Sequence, residues 1–198
     1  PSRNAIVSAY NGLRPIFLSD AGHSCIEELR QRSVSFVQMK EFNEGQCVVR
    51  NPVKVNQFSS TRLNSPVVLS CSTAIAVDKW LNQLNAQTIR HLGSYNCRVQ
   101  RRSRLISEHG FGTAIDISEV DGARVSKDWG AESQRGEKLS RAAALACEYF
   151  VNVITPDDDA LHKDHLHLDV GFGLGCKFKP AIKGIRRYFA DIILALDK

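Results

Sequence analysis

Apolar positions along the chain switch between a helical and an alternating spacing. Cys25, Ile26 and Leu29, with Glu27 and Glu28 between them, predict a short amphipathic helix over residues 22–32, after a loose lead-in over 1–20. Residues 34–39 read as a strand. Residues 47–58 form a further extended segment, with Val48, Val49, Val53, Val55 and Phe58 apolar and Pro52 suited to a sheet edge. A turn-rich stretch leads to a strand at 67–69, and Ser72 or Thr73 then offers an N-cap for a long helix. Ala76, Val77, Trp80, Leu81 and Leu84 recur at helical spacing there, with Gly93 as the stop. Strand resumes over 94–99, and a basic loop follows at Arg101-Arg102-Ser103-Arg104. Asp121-Gly122 predicts a tight hairpin between Ile117 and Val125. After a polar loop over 130–136 come a helix over 138–150, a strand over 151–154 and a loop at Thr155-Pro156-Asp157-Asp158-Asp159. Gly171, Gly173 and Gly175 break the last strand, and Ile182, Ile185, Phe189, Ile192, Ile193 and Leu196 make one stripe of a C-terminal helix over 181–196. Strands mixed with peripheral helices predict an α+β fold with a central antiparallel sheet, in one domain covering 1–198 with its core at about 25–176.

Two stretches carry the chemistry. In 165–170, Leu166, Leu168 and Val170 take one face of a strand while His165, His167 and Asp169 share the other. In 114–118, Ile115 and Ile117 point inward while Ala114, Asp116 and Ser118 point outward. Two such strands side by side, with apolar backs, place Asp116 next to His167. Ligand-type residues on both polar faces would waste burial energy unless something neutralises them. His109 precedes Asp116 by a segment containing Gly110 and Gly112, which allow a tight backbone return over the same surface. Four of the six histidines lie in 107–116 and 162–169. His109, Asp116 and His167 thus form an expected ligand set for one zinc ion, with a fourth position open for water. Asp169 can hold a zinc histidine in place from behind, and Asp157-Asp158-Asp159 lacks the alternating spacing of a calcium loop.

Charge and cysteines narrow the setting. The chain has 198 residues, 43% hydrophobic and 24% charged, with a net charge of +5 and an isoelectric point near 9.0. That balance favours anionic partners, and without an aromatic-and-basic module nucleic acid is not expected among them. No apolar run spans a bilayer and no secretion leader opens the sequence, so a signal or membrane tether is expected only outside it. Cys25, Cys47, Cys71, Cys97, Cys147 and Cys176 are dispersed, with no Cys-x-x-Cys pair. That argues against a thiolate zinc site and for three disulfides in an oxidising compartment, rather than six buried thiols in a cytosolic protein. Sequence does not choose the pairing; nearest neighbours (Cys25–Cys47, Cys71–Cys97, Cys147–Cys176) are the simplest.

Ser107-x-His109-x-x-Gly112-x-Ala114-x-Asp116 matches in full the S-x-H-x-x-G-x-A-x-D motif of the LAS metallopeptidases, and His165-x-His167 matches their H-x-H. LAS groups lysostaphin-type endopeptidases, zinc D-Ala-D-Ala carboxypeptidases and the Hedgehog signalling domain. More closely, the run from about Cys25 to Cys176 resembles the extensin-like C-terminal family of bacterial envelope proteins. The residues that carry this are Gly93-Ser94-Tyr95-Asn96-Cys97-Arg98, 107–117 and 157–169. The resemblance implies zinc on His109, Asp116 and His167, cleavage of amide bonds in peptidoglycan stem peptides, a periplasmic address and the nearest-neighbour disulfides.

It also implies roles around the metal. Carboxypeptidases of the group carry a Glu three residues before the last zinc histidine, where this chain has the shorter Asp164. The H-x-H endopeptidases use the first histidine of the pair, here His165. We expect His165 to handle the proton, with Asp164 close behind and His162 a step further out. Arg98 follows Ser-Tyr as the carboxypeptidase arginine does and is expected to contact the substrate's carbonyl or carboxylate. Ser107 orients the loop or binds substrate. The expectation is a zinc peptidoglycan peptidase, with a non-catalytic zinc domain that binds wall peptides or a protein as the alternative.

Overall fold

A computed structural model describes residues 23–100, 104–171 and 176. The expected lead-in over 1–20, the loop residues Arg101-Arg102-Ser103, Gly173 and Gly175, and the helix over 181–196 lie outside the described residues. No helix among the described residues is long and apolar enough to cross a membrane.

The chain runs α1 (His23–Gln31), β1 (Ser35–Gln38), β2 (Phe42–Glu44), β3 (Cys47–Val49), β4 (Pro52–Gln57) and β5 (Arg62–Ser70). It continues with α2 (Cys71–Leu84), β6 (Thr88–Gly93), a 3₁₀ turn (Glu108–Phe111), β7 (Ala114–Val120), β8 (Ala123–Arg124) and the one-turn α3 (Val125–Asp128). Last come α4 (Gln134–Ala146), β9 (Asn152–Ile154), a second 3₁₀ turn (Ala160–His162) and β10 (Leu166–Asp169). The main sheet orders its strands β1-β4-β5-β6-β7-β10-β9, with β8 on β7, and β2 and β3 form a separate ribbon. Every pair is antiparallel except β5 and β6. The expected α+β architecture with an antiparallel-dominated sheet is therefore present.

Helices cover one face of the sheet, α2 against β4 and β5 and α4 against β7 and β8. Trp80 is fully buried between them. Its Nε1 donates to Ala142 O at 2.9 Å, which ties α2 to α4, and Phe150 meets its ring edge-on. Ile115, Ile117, Leu166 and Leu168 point into this core with no exposed surface. That leaves the opposite face of β7 and β10 for polar residues, as their alternation predicts.

The structure corrects several boundaries. Ser70, not Ser72 or Thr73, caps α2, with its Oγ accepting from Thr73 N. The helix ends at Leu84, not Gly93, because Asn85 adopts the left-handed conformation (φ 56°) and its N–H reaches the carbonyls of Asn82 and Leu81. The following residues then alternate as β6, with Ile89 and His91 inward and Arg90 and Leu92 outward. Residues 94–99 are irregular rather than strand, joined to the next segment by a single bridge from Val99 to Ile106. Pro52 opens an interior strand instead of an edge, a position where a missing donor costs little. Helix α4 starts at Gln134, earlier than expected, because Ser133 accepts from Gly136 N. At the Asp121-Gly122 hairpin both residues have positive φ, as a two-residue turn requires.

The three disulfides are Cys25–Cys71, Cys47–Cys97 and Cys147–Cys176, so the nearest-neighbour pairing is wrong for the first two. Helix α1 turns the face carrying Cys25, Ile26 and Leu29 onto the start of α2, where Cys71 waits 6.1 Å away Cα to Cα. Cys47 on the small ribbon instead meets the irregular segment at Cys97. Non-reducing proteolytic mapping will join Cys25 peptides to Cys71 peptides and Cys47 peptides to Cys97 peptides; Cys25–Cys47 fragments would contradict this. Removing the first bridge as C25A/C71A will lower the unfolding free energy in urea titrations by about 2–5 kcal/mol.

Candidate metal centre

Strands β7 and β10 pair so that His167 sits directly across from Asp116, with Leu166 opposite Ile117 and Leu168 opposite Ile115. Asp116 and His167 therefore share the uncovered face, their side chains in contact at 2.9 Å (Asp116 Oδ1 to His167 Nδ1). His109 reaches the same point from the first 3₁₀ turn, its Nε2 3.2 Å from both Asp116 Oδ2 and His167 Nδ1. One donor atom from each of His109, Asp116 and His167 lies within 4.8 Å of the others.

Glycines allow that turn. Gly112 has φ 66°, and a Cβ there would stand 2.8 Å from Val49 Cγ1 and 2.9 Å from Ser70 N. A Cβ on Gly110 would meet Cys47 Sγ at 2.9 Å, so the Cys47–Cys97 bridge packs directly against the turn that carries His109. The same bridge anchors the 94–100 segment, which bonds back to the turn through Asn96 N to His109 O and Ser107 N to Arg98 O.

Partners behind each imidazole fix its tautomer. The Ser94 carbonyl can only accept, so His109 Nδ1 carries hydrogen and Nε2 presents a lone pair. When the His167 ring is neutral and Asp169 accepts from its Nε2 at 3.0 Å, the Nδ1 lone pair faces His109 and Asp116. Asp169 is itself held by Asn152 Nδ2 and Gly171 N, each at 2.8 Å. Two nitrogen lone pairs and a carboxylate aimed at one point repel one another unless a cation sits between them. This donor set, with carbonyl and carboxylate partners behind the rings, fits zinc.

Without a metal, a proton fills that role. Burial disfavours charge on His167, but hydrogen bonds to Asp116 and Asp169 outweigh it and raise its pKa to about 9. Burial opposes ionisation of Asp116 too, yet its contacts with the His109 and His167 rings hold it well below the usual carboxylate range.

A cleft of about 520 Å³ opens over the centre, lined in part by Arg98, Ser107, Glu108, His162 and His165. His165 lies just before β10. Its Nδ1 contacts Asp164 Oδ1 at 2.9 Å and its Nε2 stands 3.6 Å from Asp116 Oδ1. His162 sits on the second 3₁₀ turn, with its ring centroid 5.0 Å from that of His165. Burial, the largest cause, lowers its pKa, partly offset by Asp159. Arg98 is exposed on the cleft wall and makes no ion pair among the described residues. Asp158 and Asp159 are turn builders: Asp158 Oδ2 accepts from Thr155 N and Oγ1, and Asp159 caps the turn to His162.

All of the residues singled out in the sequence thus gather around one cleft, Asp164 through His165. Sequence reasoning missed Ser94, Asn152, Glu108 and Asp159. Ser94 acts through its backbone carbonyl, which no sequence pattern marks. Asn152 lies opposite Asp169 on β9, visible only once that register is known. Glu108 is buried beside His109, accepting from Thr113 Oγ1 at 2.8 Å, and only the missing side chain of Gly171 leaves its carboxylate room.

Residues 23–177 match the family described as the extensin-like protein C-terminus, and the chain belongs to that family. No curated protein and no solved structure matches it.

The raised pKa of His167 has a sign that can be measured. In metal-free protein, the stabilisation from its proton is complete below about 6.5, the ordinary value, and is lost as pH rises through about 9. Thermal melts of chelator-treated protein will lose stability between those values, and H167Q will flatten that limb. An unchanged slope in H167Q would contradict the assignment.

Proposed function

We propose that this extensin-like C-terminal domain is a zinc-dependent peptidase of the LAS type, acting in the periplasm. Its reading as an endopeptidase has it hydrolyse amide bonds in the stem peptides or cross-links of peptidoglycan. The observation that carries the proposal is the convergence of His109 Nε2, Asp116 and His167 Nδ1 in a cleft that also holds two carboxylate-backed imidazoles. A net charge of +5 and three disulfides suit a carboxylate-bearing wall polymer in an oxidising compartment.

Zinc, held by His109, Asp116 and His167, would supply Lewis acidity towards a carbonyl and would lower the pKa of water towards neutrality. The chain's own residues handle protons and orientation. Asp164 accepts from His165 Nδ1, so the Nε2 lone pair is the basic end, and it lies on the Asp116 side of the cleft. We give Asp164 and His165, alternatives in the sequence, different tasks: Asp164 orients and His165 takes the proton of the attacking water. That proton passes to the amide nitrogen as the C–N bond breaks, giving a carboxylate and an amine. His162 is a second imidazole on the same wall for the departing amine. Arg98 offers its planar fork to the substrate's carbonyl or carboxylate, and Ser107 lines the approach.

Digestion of purified sacculi, followed by mass analysis of muropeptides, tests the proposal. Wild-type protein will release new fragments and carry about one zinc per chain. H165A will keep its zinc and lose about 10²–10⁴-fold in rate, while H109A will lose both. Identical muropeptide profiles from wild type and both variants would overturn the enzyme reading. Wild-type protein without zinc after mild purification would overturn the metal.

A further inference from the structure

We propose that Asp159 is a positioning residue of the cleft: it locks the turn Ala160–His162 and the ring of His162 into one unit, with Nδ1 protonated and Nε2 bare. Only the kinetic consequence rests on the peptidase reading; the geometry stands without it.

One carboxylate oxygen does this. Asp159 Oδ1 accepts from Leu161 N at 2.7 Å, from His162 N at 3.2 Å and from His162 Nδ1 at 2.8 Å. The same atom that caps the turn's backbone thus also accepts the ring's N–H, so the ring cannot rotate without losing that bond. An ionised carboxylate has no hydrogen to give, and Nδ1 must be the donor. The neutral imidazole then keeps its lone pair on Nε2.

Asp159 is itself set in place. Asp158 N donates to Thr155 O at 3.0 Å, and Asp158 Oδ2 receives Thr155 N at 2.7 Å, so a closed turn delivers the next residue in extended conformation. The His162 side chain is 17% exposed and that of Asp159 46%, which puts the ring in the cleft wall and the carboxylate at its rim. From there the ring centroid lies 5.0 Å from that of His165 and 5.7 Å from that of His167. Asp164 holds His165 in the same manner, so one wall carries two imidazoles with matching tautomers, each set by a neighbouring aspartate. A run of three aspartates that looks like a solvated loop in sequence is, at its last member, part of the site.

Two substitutions separate the cap from the ring contact. D159N keeps an acceptor oxygen for both; D159S keeps a cap for the backbone but is too short to hold the ring. In ¹⁵N spectra of the full chain supplied with zinc, wild type and D159N will show His162 protonated at Nδ1. D159S will shift His162 towards the Nε2-protonated form, with cooperative melting and zinc content unchanged. Against sacculi, D159S will lose about tenfold or more in kcat, the size expected for losing a histidine's orienting partner, with KM little changed and D159N close to wild type. A wild-type His162 protonated at Nε2, or D159S with the wild-type tautomer, would overturn the proposal. So would full kcat in D159S with its tautomer switched. If wild type cleaves nothing, the peptidase reading falls and the spectra alone decide the positioning.

Discussion

The register between β7 and β10 is the constraint on which the rest depends. Ile115, Ile117, Leu166 and Leu168 are all fully buried against the helices, each contributing about 1.5–3 kcal/mol. A slip of β10 by one residue against β7 would turn Leu166 and Leu168 to solvent and drive His167 into the core, away from Asp116. Hydrophobic burial on one side of the sheet therefore dictates polar placement on the other. That term is large enough to hold two mutually dependent ionisable groups together before any ligand arrives. The sheet supplies Asp116, His167 and Asp169 as a rigid block, and a cation site on strands is more exact than one on loops.

His109 is the candidate ligand borne by a turn, and the surrounding structure compensates for that. Its Nδ1 is tied to Ser94 O, its own carbonyl receives Asn96 N, and the segment between these residues and Arg98 is stapled to β3 by Cys47–Cys97. The bridge packs against Gly110, so a sulfur pair stiffens the one part of the centre that lacks sheet support. The opposite wall uses carboxylates for the same purpose, with Asp159 and Asp164 each fixing a histidine next to it. Disulfide, carbonyl and carboxylate are different chemistries applied to the same task of holding an imidazole in one tautomer and one direction.

What the sequence made legible follows from which forces are local. Alternation around Asp116 and His167, the hairpin at Asp121-Gly122 and the helix at His23–Gln31 depend on neighbours within a few residues, and the structure has all three. The end of α2 was misplaced because Asn85 performs the left-handed turn for which glycine is the usual sign. Two disulfides were mispaired because the partner of Cys25 is set by how α1 packs on α2, not by spacing along the chain. Ser94 was invisible because its carbonyl acts whatever its side chain. Asp164 and His165 read as alternatives for one role in sequence, and the 2.9 Å contact between their side chains is visible only in the structure.

Anomalous diffraction at the zinc edge, on crystals grown from protein purified without chelator, tests the central claim most directly. One dominant peak is expected, about 2.0–2.2 Å from His109 Nε2, an Asp116 carboxylate oxygen and His167 Nδ1. A peak bound by other residues, or none between these three while the protein remains folded, would contradict it.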